Sequence, residues 1–131
     1  LNSSLFGLEP RPDILNKVVP ESLGLISLTE RPKVIHQSGS HKLSELIGRY
    51  AQFKVQAECV EFISNIGEMY RKVDLIICRA GAMTLAEIAV VGVASILVPF
   101  PHAVDDHQKK KCTLFSKFRC SITYRAREFV A

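Results

Sequence analysis

The apolar residues of this chain change their spacing again and again, and that alternation restricts the fold more than any other feature. Lys33-Val34-Ile35-His36-Gln37 is a short β-rich run that ends at Ser38-Gly39-Ser40. Leu43, Leu46, Ile47 and Tyr50 then recur at the spacing of one helix face. Phe53, Val55 and Ala57 alternate as in a strand, and Ile63, Ile66, Met69, Tyr70 and Val73 are helical again, with Phe62-Ile63 opening the helix. Val73 to Cys78 reads as a buried strand, Thr84 to Val91 as a helix stopped by Gly92, and Ala94 to Val98 as another buried strand ended by Pro99. Ahead of these, Asp13 suits the cap of a helix through Ile14, Leu15, Val18 and Val19 that Pro20 is expected to kink or shorten. Beyond them, a polar helix is expected from Val104 to about Ser116 and a last strand from Cys120 to Tyr124.

Strands alternating with helices of this length give βαβ crossovers and a parallel sheet, so the fold class is α/β and Rossmann-like. Ligands of such sheets sit beyond the carboxyl ends of the strands. The turns at that end are His36 to Ser40, Cys59 to Ile63, Arg79 to Thr84 and Pro99 to Gln108. Leu1 to Pro12 shows turn residues and no strand, where a doubly wound sheet wants its first strand and phosphate loop, and Glu128-Phe129-Val130 starts a helix just before Ala131. The expected organisation is an irregular segment over 1–12 followed by one domain over 13–131, cut at both ends.

Composition agrees with one soluble domain: 131 residues, 47% hydrophobic and 23% charged, which excludes long disorder, collagen-like repeats and coiled coil. The uncharged stretch from Ile88 to Val104 is interrupted by Gly92, Pro99, Pro101 and His102, so no membrane span is expected, and no export leader opens the sequence. The net charge of +4 is concentrated in Lys109, Lys110, Lys111, Lys117, Arg119, Arg125 and Arg127, which fits either an anionic partner or a solvated face. Nucleic acid is not an expected partner, because neither stacking aromatics nor a reading motif accompanies the charge. Cys59, Cys78, Cys112 and Cys120 include no C-x-x-C pair and read as reduced thiols without a metal.

Arg79-Ala80-Gly81-Ala82-Met83-Thr84 is the most informative turn. It follows a buried strand, its small residues admit a ligand to the backbone, and it opens a helix whose free amides and dipole favour an anion. Glu87 lies three residues past Thr84, where a carboxylate can accept both hydroxyls of a ribose diol. A Thr84–Glu87 capping box explains the same spacing without any ligand, and on spacing alone the two readings stand level. Neither G-x-G-x-x-G nor a P-loop is present. In the loop from Pro99 to Gln108, adjacent residues such as Asp105, Asp106 and His107 rarely converge on one metal ion, and their polar groups suit sugar hydroxyls better. His102 and His107 are weak candidates as catalytic bases. The Phe62-Ile63 backbone suits the reading of a planar base, and core packing accounts for it equally well.

Four segments together resemble the bacterial MurG glycosyltransferase family: His36-Gln37-Ser38-Gly39; Phe62-Ile63 with Met69-Tyr70; Asp74 through Ile88, containing Cys78-Arg79-Ala80-Gly81-Ala82-Met83-Thr84; and Val98 through Gln108. The resemblance covers roughly Ile14 to Arg125 and implies the carboxyl-terminal, donor-binding half of a GT-B enzyme. It implies transfer of N-acetylglucosamine from UDP-GlcNAc to lipid I, giving lipid II for peptidoglycan, at the cytoplasmic face of the bacterial inner membrane. By the same resemblance Phe62 and Ile63 lie at the uracil, and Ala82, Met83, Thr84, Leu85 and Ala86 line the nucleotide and diphosphate turn. Glu87 holds the ribose hydroxyls, while His107 and Gln108 face the sugar. Neither a metal nor another cofactor is implied, and the catalytic base is expected in an amino-terminal domain or a partner chain, so this chain alone is expected to bind donor without turnover. A donor subunit of a split GlcNAc transferase and a non-catalytic nucleotide-binding remnant are the alternatives. The sequence departs from the family where Leu1 to Pro12 lacks its Gly-Gly-Ser loop, where Lys111-Cys112 replaces Asn-Ala, and where Arg119-Cys120 replaces Gly-Ala.

Overall fold

A computed structural model of the chain describes residues 14–98 in full, together with the backbones of residues 4–8 and 121–123. Six strands, β1 (Ser4–Leu8), β2 (Lys33–Gln37), β3 (Glu58–Val60), β4 (Leu75–Arg79), β5 (Ala94–Val98) and β6 (Ser121–Thr123), form one sheet in the order β3-β2-β1-β4-β5-β6. Every pairing is parallel. Four helices connect the first five strands: α1 (Ile14–Gly24), α2 (Leu43–Gln52), α3 (Ile66–Lys72) and α4 (Ala82–Val91). Strand order steps outward from β1 to β3, then returns to set β4 on the other side of β1. That reversal is the topological switch point, beyond whose carboxyl edge a crevice opens in folds of this kind.

Both faces of β4 are covered, which explains why it reads as a nearly continuous apolar run. Leu75 and Ile77 pack with α1 and α2 against Leu15, Val19, Leu23, Leu46 and Tyr50. Ile76 and Cys78, alternating with them along β4, pack with α3 and α4 against Tyr70, Leu85 and Ile88. The two-residue period of one strand thus feeds two cores. Cys59 is half-buried, Cys78 is buried, and both are free thiols. Among the described residues no helix is long and apolar enough to cross a membrane.

Strands β2 and β5 and the end of α4, where Gly92 takes the left-handed conformation at φ 80°, lie where the sequence places them. Four expectations are corrected. The segment over 1–12 is not without a strand: Ser4–Leu8 is β1, paired on one side with β2 and on the other with β4. Ser4 and Gly7 weaken its local strand signal, and pairing on both sides overrides that propensity. Phe53, Val55 and Ala57 are not a strand either; Phe53 ends α2, Lys54 turns left-handed at φ 55°, and β3 begins only at Glu58. Their alternation arises because Phe53, Val55 and Ala57 all fold back onto the α1–α2 core. Helix α1 is not shortened at Pro20 but continues to Gly24. Pro20 is fully buried, so its packing offsets a backbone penalty of about 3 kcal/mol. Helix α3 opens at Ile66 behind an Asn65 cap, leaving Phe62-Ile63 in the preceding loop. The Asn65 carboxamide oxygen accepts the Glu68 amide at 3.1 Å, and this cap sets the start of the helix. The expected Asp13 cap and the helix from Val104 to about Ser116 lie outside the described residues.

Candidate functional site

The carboxyl edge of the sheet carries the turns that follow β2, β3 and β4. The last of these leads from the buried Arg79 into α4. The Ala80 amide donates to the Val98 carbonyl at 3.3 Å and the Gly81 amide to the Arg79 carbonyl at 2.9 Å, so the turn is pinned to the neighbouring strand end. Gly81 is the N-cap of α4, and among the described residues no side chain caps that end. The first intrahelical bond runs from the Leu85 amide to the Gly81 carbonyl at 3.0 Å, so the amides of Ala82, Met83 and Thr84 have no acceptor within the helix. Such an end carries about half a positive charge.

Gly81 has the ordinary extended geometry φ −79°, ψ 146°. Among the described residues, a Cβ on it would meet the Thr84 hydroxyl alone, at 3.8 Å. Backbone strain does not demand glycine here, and no packing contact closer than 3.8 Å does so among the described residues.

The cap at Gly81 also rules out a Thr84–Glu87 capping box, because Thr84 lies inside the helix. Leu85 is buried and Ile88 fully so, turning one stripe of α4 to the core, while Ala82, Met83, Ala86 and Glu87 are exposed and Thr84 is half-buried. Leu85 thus offers a ligand only its main chain. Glu87 is tied to a neighbouring helix instead of its own amides: the Tyr70 hydroxyl donates to its Oε2 at 3.1 Å. Tyr70 itself is 2% exposed, and burial, followed by the Glu87 charge and this hydrogen bond, pushes its hydroxyl above the ordinary tyrosine range. It is a donor at any physiological pH.

The loop carrying Phe62 and Ile63 is built from β2. Gln37, buried at the end of that strand, accepts the Ile63 amide through Oε1 at 3.0 Å. The Ser38 amide donates to the Val60 carbonyl, and the Gly39 amide to that of Glu61. Asn16 of α1 donates through Nδ2 to the Ser38 carbonyl at 3.0 Å. The chain then turns through Gly39 and His41, both at positive φ, and the His41 amide donates to the Glu61 carboxylate at 2.8 Å. Ile63 packs on the core cluster that holds Leu85 and Ile88, whereas Phe62 is 61% exposed. One core thus joins the Ile63 loop to α4. His107 and Gln108 lie outside the described residues.

Gln37 and Tyr70 stand in segments that carry the family resemblance, but sequence reasoning assigned neither a role in this arrangement. Gln37 stood in a β-rich run and Tyr70 in a helical apolar period, and both act through segments distant in sequence.

A parallel sheet in this order, with an uncapped helix end beside its switch point, defines a Rossmann-like α/β domain of the kind that forms the carboxyl-terminal domain of GT-B glycosyltransferases. The chain belongs to glycosyltransferase family 28: residues 11–130 match that family's C-terminal domain. Over 96 residues it is 54% identical to the UDP-N-acetylglucosamine--N-acetylmuramyl-(pentapeptide) pyrophosphoryl-undecaprenol N-acetylglucosamine transferase of Neisseria meningitidis serogroup C, covering 73% of this chain and 27% of the relative. The protein of the same name from Cupriavidus pinatubonensis is 42% identical over 117 residues, 89% of this chain and 33% of the relative. Among solved structures, Acinetobacter baumannii MurG superposes with a TM-score of 0.86 at 27% identity, over 99% of this chain and 40% of that one. The matched region therefore spans 27% to 33% of the length of these two curated relatives.

Proposed function

We propose that this chain is the donor-binding domain of a UDP-GlcNAc-dependent hexosyltransferase acting in peptidoglycan synthesis. The observation that carries the reading is the amino end of α4 at Gly81, which no described side chain caps, with an exposed carboxylate, Glu87, farther along the same helix. A diphosphate suits those amides, and the two hydroxyls of a ribose suit the carboxylate. The Phe62-Ile63 loop takes the uracil, with the Ile63 amide already engaged by Gln37, so its contact to a base is through the side chain and neighbouring backbone. His107 and Gln108 face the sugar in this reading. The names of the relatives, which specify an N-acetylglucosamine transferase, support the same donor.

In the reaction proposed, the acceptor hydroxyl of lipid I displaces the nucleotide from the sugar carbon with inversion, and the α4 amides and dipole stabilise the negative charge that develops on the departing diphosphate. The base that takes the acceptor proton and the lipid I site come from sequence outside this chain, at the cytoplasmic face of the inner membrane. Alone, the chain binds donor without turnover. Titration calorimetry with UDP-GlcNAc tests the reading: Glu87→Ala is expected to weaken binding by about 2 kcal/mol, roughly thirtyfold in Kd, the size of hydrogen bonds to a charged group. Equal affinity in the two proteins refutes the role of Glu87, and no binding by the unmodified chain refutes the donor site.

A further inference from the structure

Resting on the donor reading above, we propose that Tyr70 is a positioning residue, whose hydroxyl fixes the Glu87 carboxylate in the orientation that receives the ribose diol. The two side chains come from different helices, α3 and α4, and meet at 3.1 Å between the hydroxyl and Oε2. Their settings differ. Tyr70 is 2% exposed and lies in a cluster with Val73, Ile76, Cys78, Leu85 and Ile88, so its ring has one place to be. Glu87 is exposed, and an exposed glutamate otherwise samples several rotamers that a ligand must freeze at a cost in affinity.

The rigid phenol removes part of that cost before the ligand arrives. It does so without using up the carboxylate: the group has about four lone-pair sites, the tyrosine occupies one on Oε2, and Oε1 with the rest can accept two sugar hydroxyls.

The experiment compares the chain with its Tyr70→Phe variant by calorimetry, using UDP-GlcNAc and an analogue of it with a 2′,3′-dideoxyribose. The variant keeps the ring and removes only the hydroxyl. The expected result is a loss of about threefold to tenfold in affinity for UDP-GlcNAc, the worth of one hydrogen bond, with affinity for the dideoxy analogue unchanged. A loss shared equally by both ligands marks a structural role and overturns the proposal, as does no loss at all. If Tyr70→Phe does not fold, 3-fluorotyrosine placed at position 70 carries the test. Its fluorine resonance is expected to move on addition of UDP-GlcNAc and to stay for the dideoxy analogue, and equal movement with both overturns the proposal. Absence of UDP-GlcNAc binding by the unmodified chain overturns the donor site itself, whereas retained binding with an indifferent Tyr70→Phe variant overturns only the positioning role.

Discussion

Acidification is expected to destabilise this domain through the buried imidazole of His36. His36 is fully buried in β2, in register between Gly7 of β1 and Cys59 of β3. Its Nδ1 lies 2.7 Å from the Tyr50 hydroxyl, and the rings meet edge to face at 5.7 Å. Its Nε2 has no hydrogen-bond partner among the described residues. The imidazolium form would therefore bury a ring N–H without an acceptor, and loss of solvent lowers the pKa from 6.5 to about 4. Between those two values the unfolded chain binds a proton that the folded chain refuses. Stability is thus fully present above pH 6.5 and is lost as pH falls toward about 4. At about 1.4 kcal/mol per pH unit the whole interval amounts to about 3 kcal/mol, of which about 2 kcal/mol is gone by pH 5. That is a large share of the roughly 5–15 kcal/mol that holds a domain together. Urea unfolding followed from about pH 7.5 to about pH 4, on the chain and on its His36→Gln variant, isolates the contribution, because glutamine still offers Tyr50 a partner and does not titrate. The unmodified chain should lose about 3 kcal/mol more than the variant across that range. Parallel pH profiles would show that His36 accepts its proton in the folded state, and the burial argument would be refuted.

Two further substitutions separate binding from stability. Gly81→Asp places a carboxylate over the uncapped amides of α4 in a backbone conformation that any residue adopts, so thermal unfolding should show stability unchanged or raised by a few tenths of a kcal/mol, while calorimetry shows UDP-GlcNAc binding lost; retained binding would mean that the diphosphate sits elsewhere. Gln37→Leu removes the acceptor of the Ile63 amide and should cost about 1 kcal/mol in urea unfolding, together with faster hydrogen exchange at Ile63. Unchanged exchange there would show that the loop is held by its apolar packing alone.

The elements legible in the sequence are those whose signals are local. Strand β5 is an apolar run bounded by Gly92 and Pro99, and β2 ends at a Ser-Gly-Ser turn, so neighbouring residues suffice to delimit both. The signal of the turn after β4, proposed above to bind the diphosphate, is equally local, because small residues, a preceding strand and a following helix stand side by side in the chain. Strand β1 is the opposite case. With serine and glycine in five residues it has little strand preference of its own, and it exists because β2 and β4 both pair with it.

The same distinction divides the site. The return of the chain from β3 to β4, across β2 and β1, brings α3 against α4 and so places Tyr70 beside Glu87, seventeen residues apart in sequence. The step from β2 to its neighbour β3 brings Gln37 to Ile63, twenty-six residues apart. Helical periodicity assigns Tyr70 to the core, and its ring is there; only the order of strands reveals that its hydroxyl emerges at the end of the core where a carboxylate waits. A spacing rule can therefore nominate the group that meets a ligand. The group that holds it in place becomes visible only once the crossovers are known, and substitutions at Tyr70 and Gln37 test whether that second layer contributes to affinity.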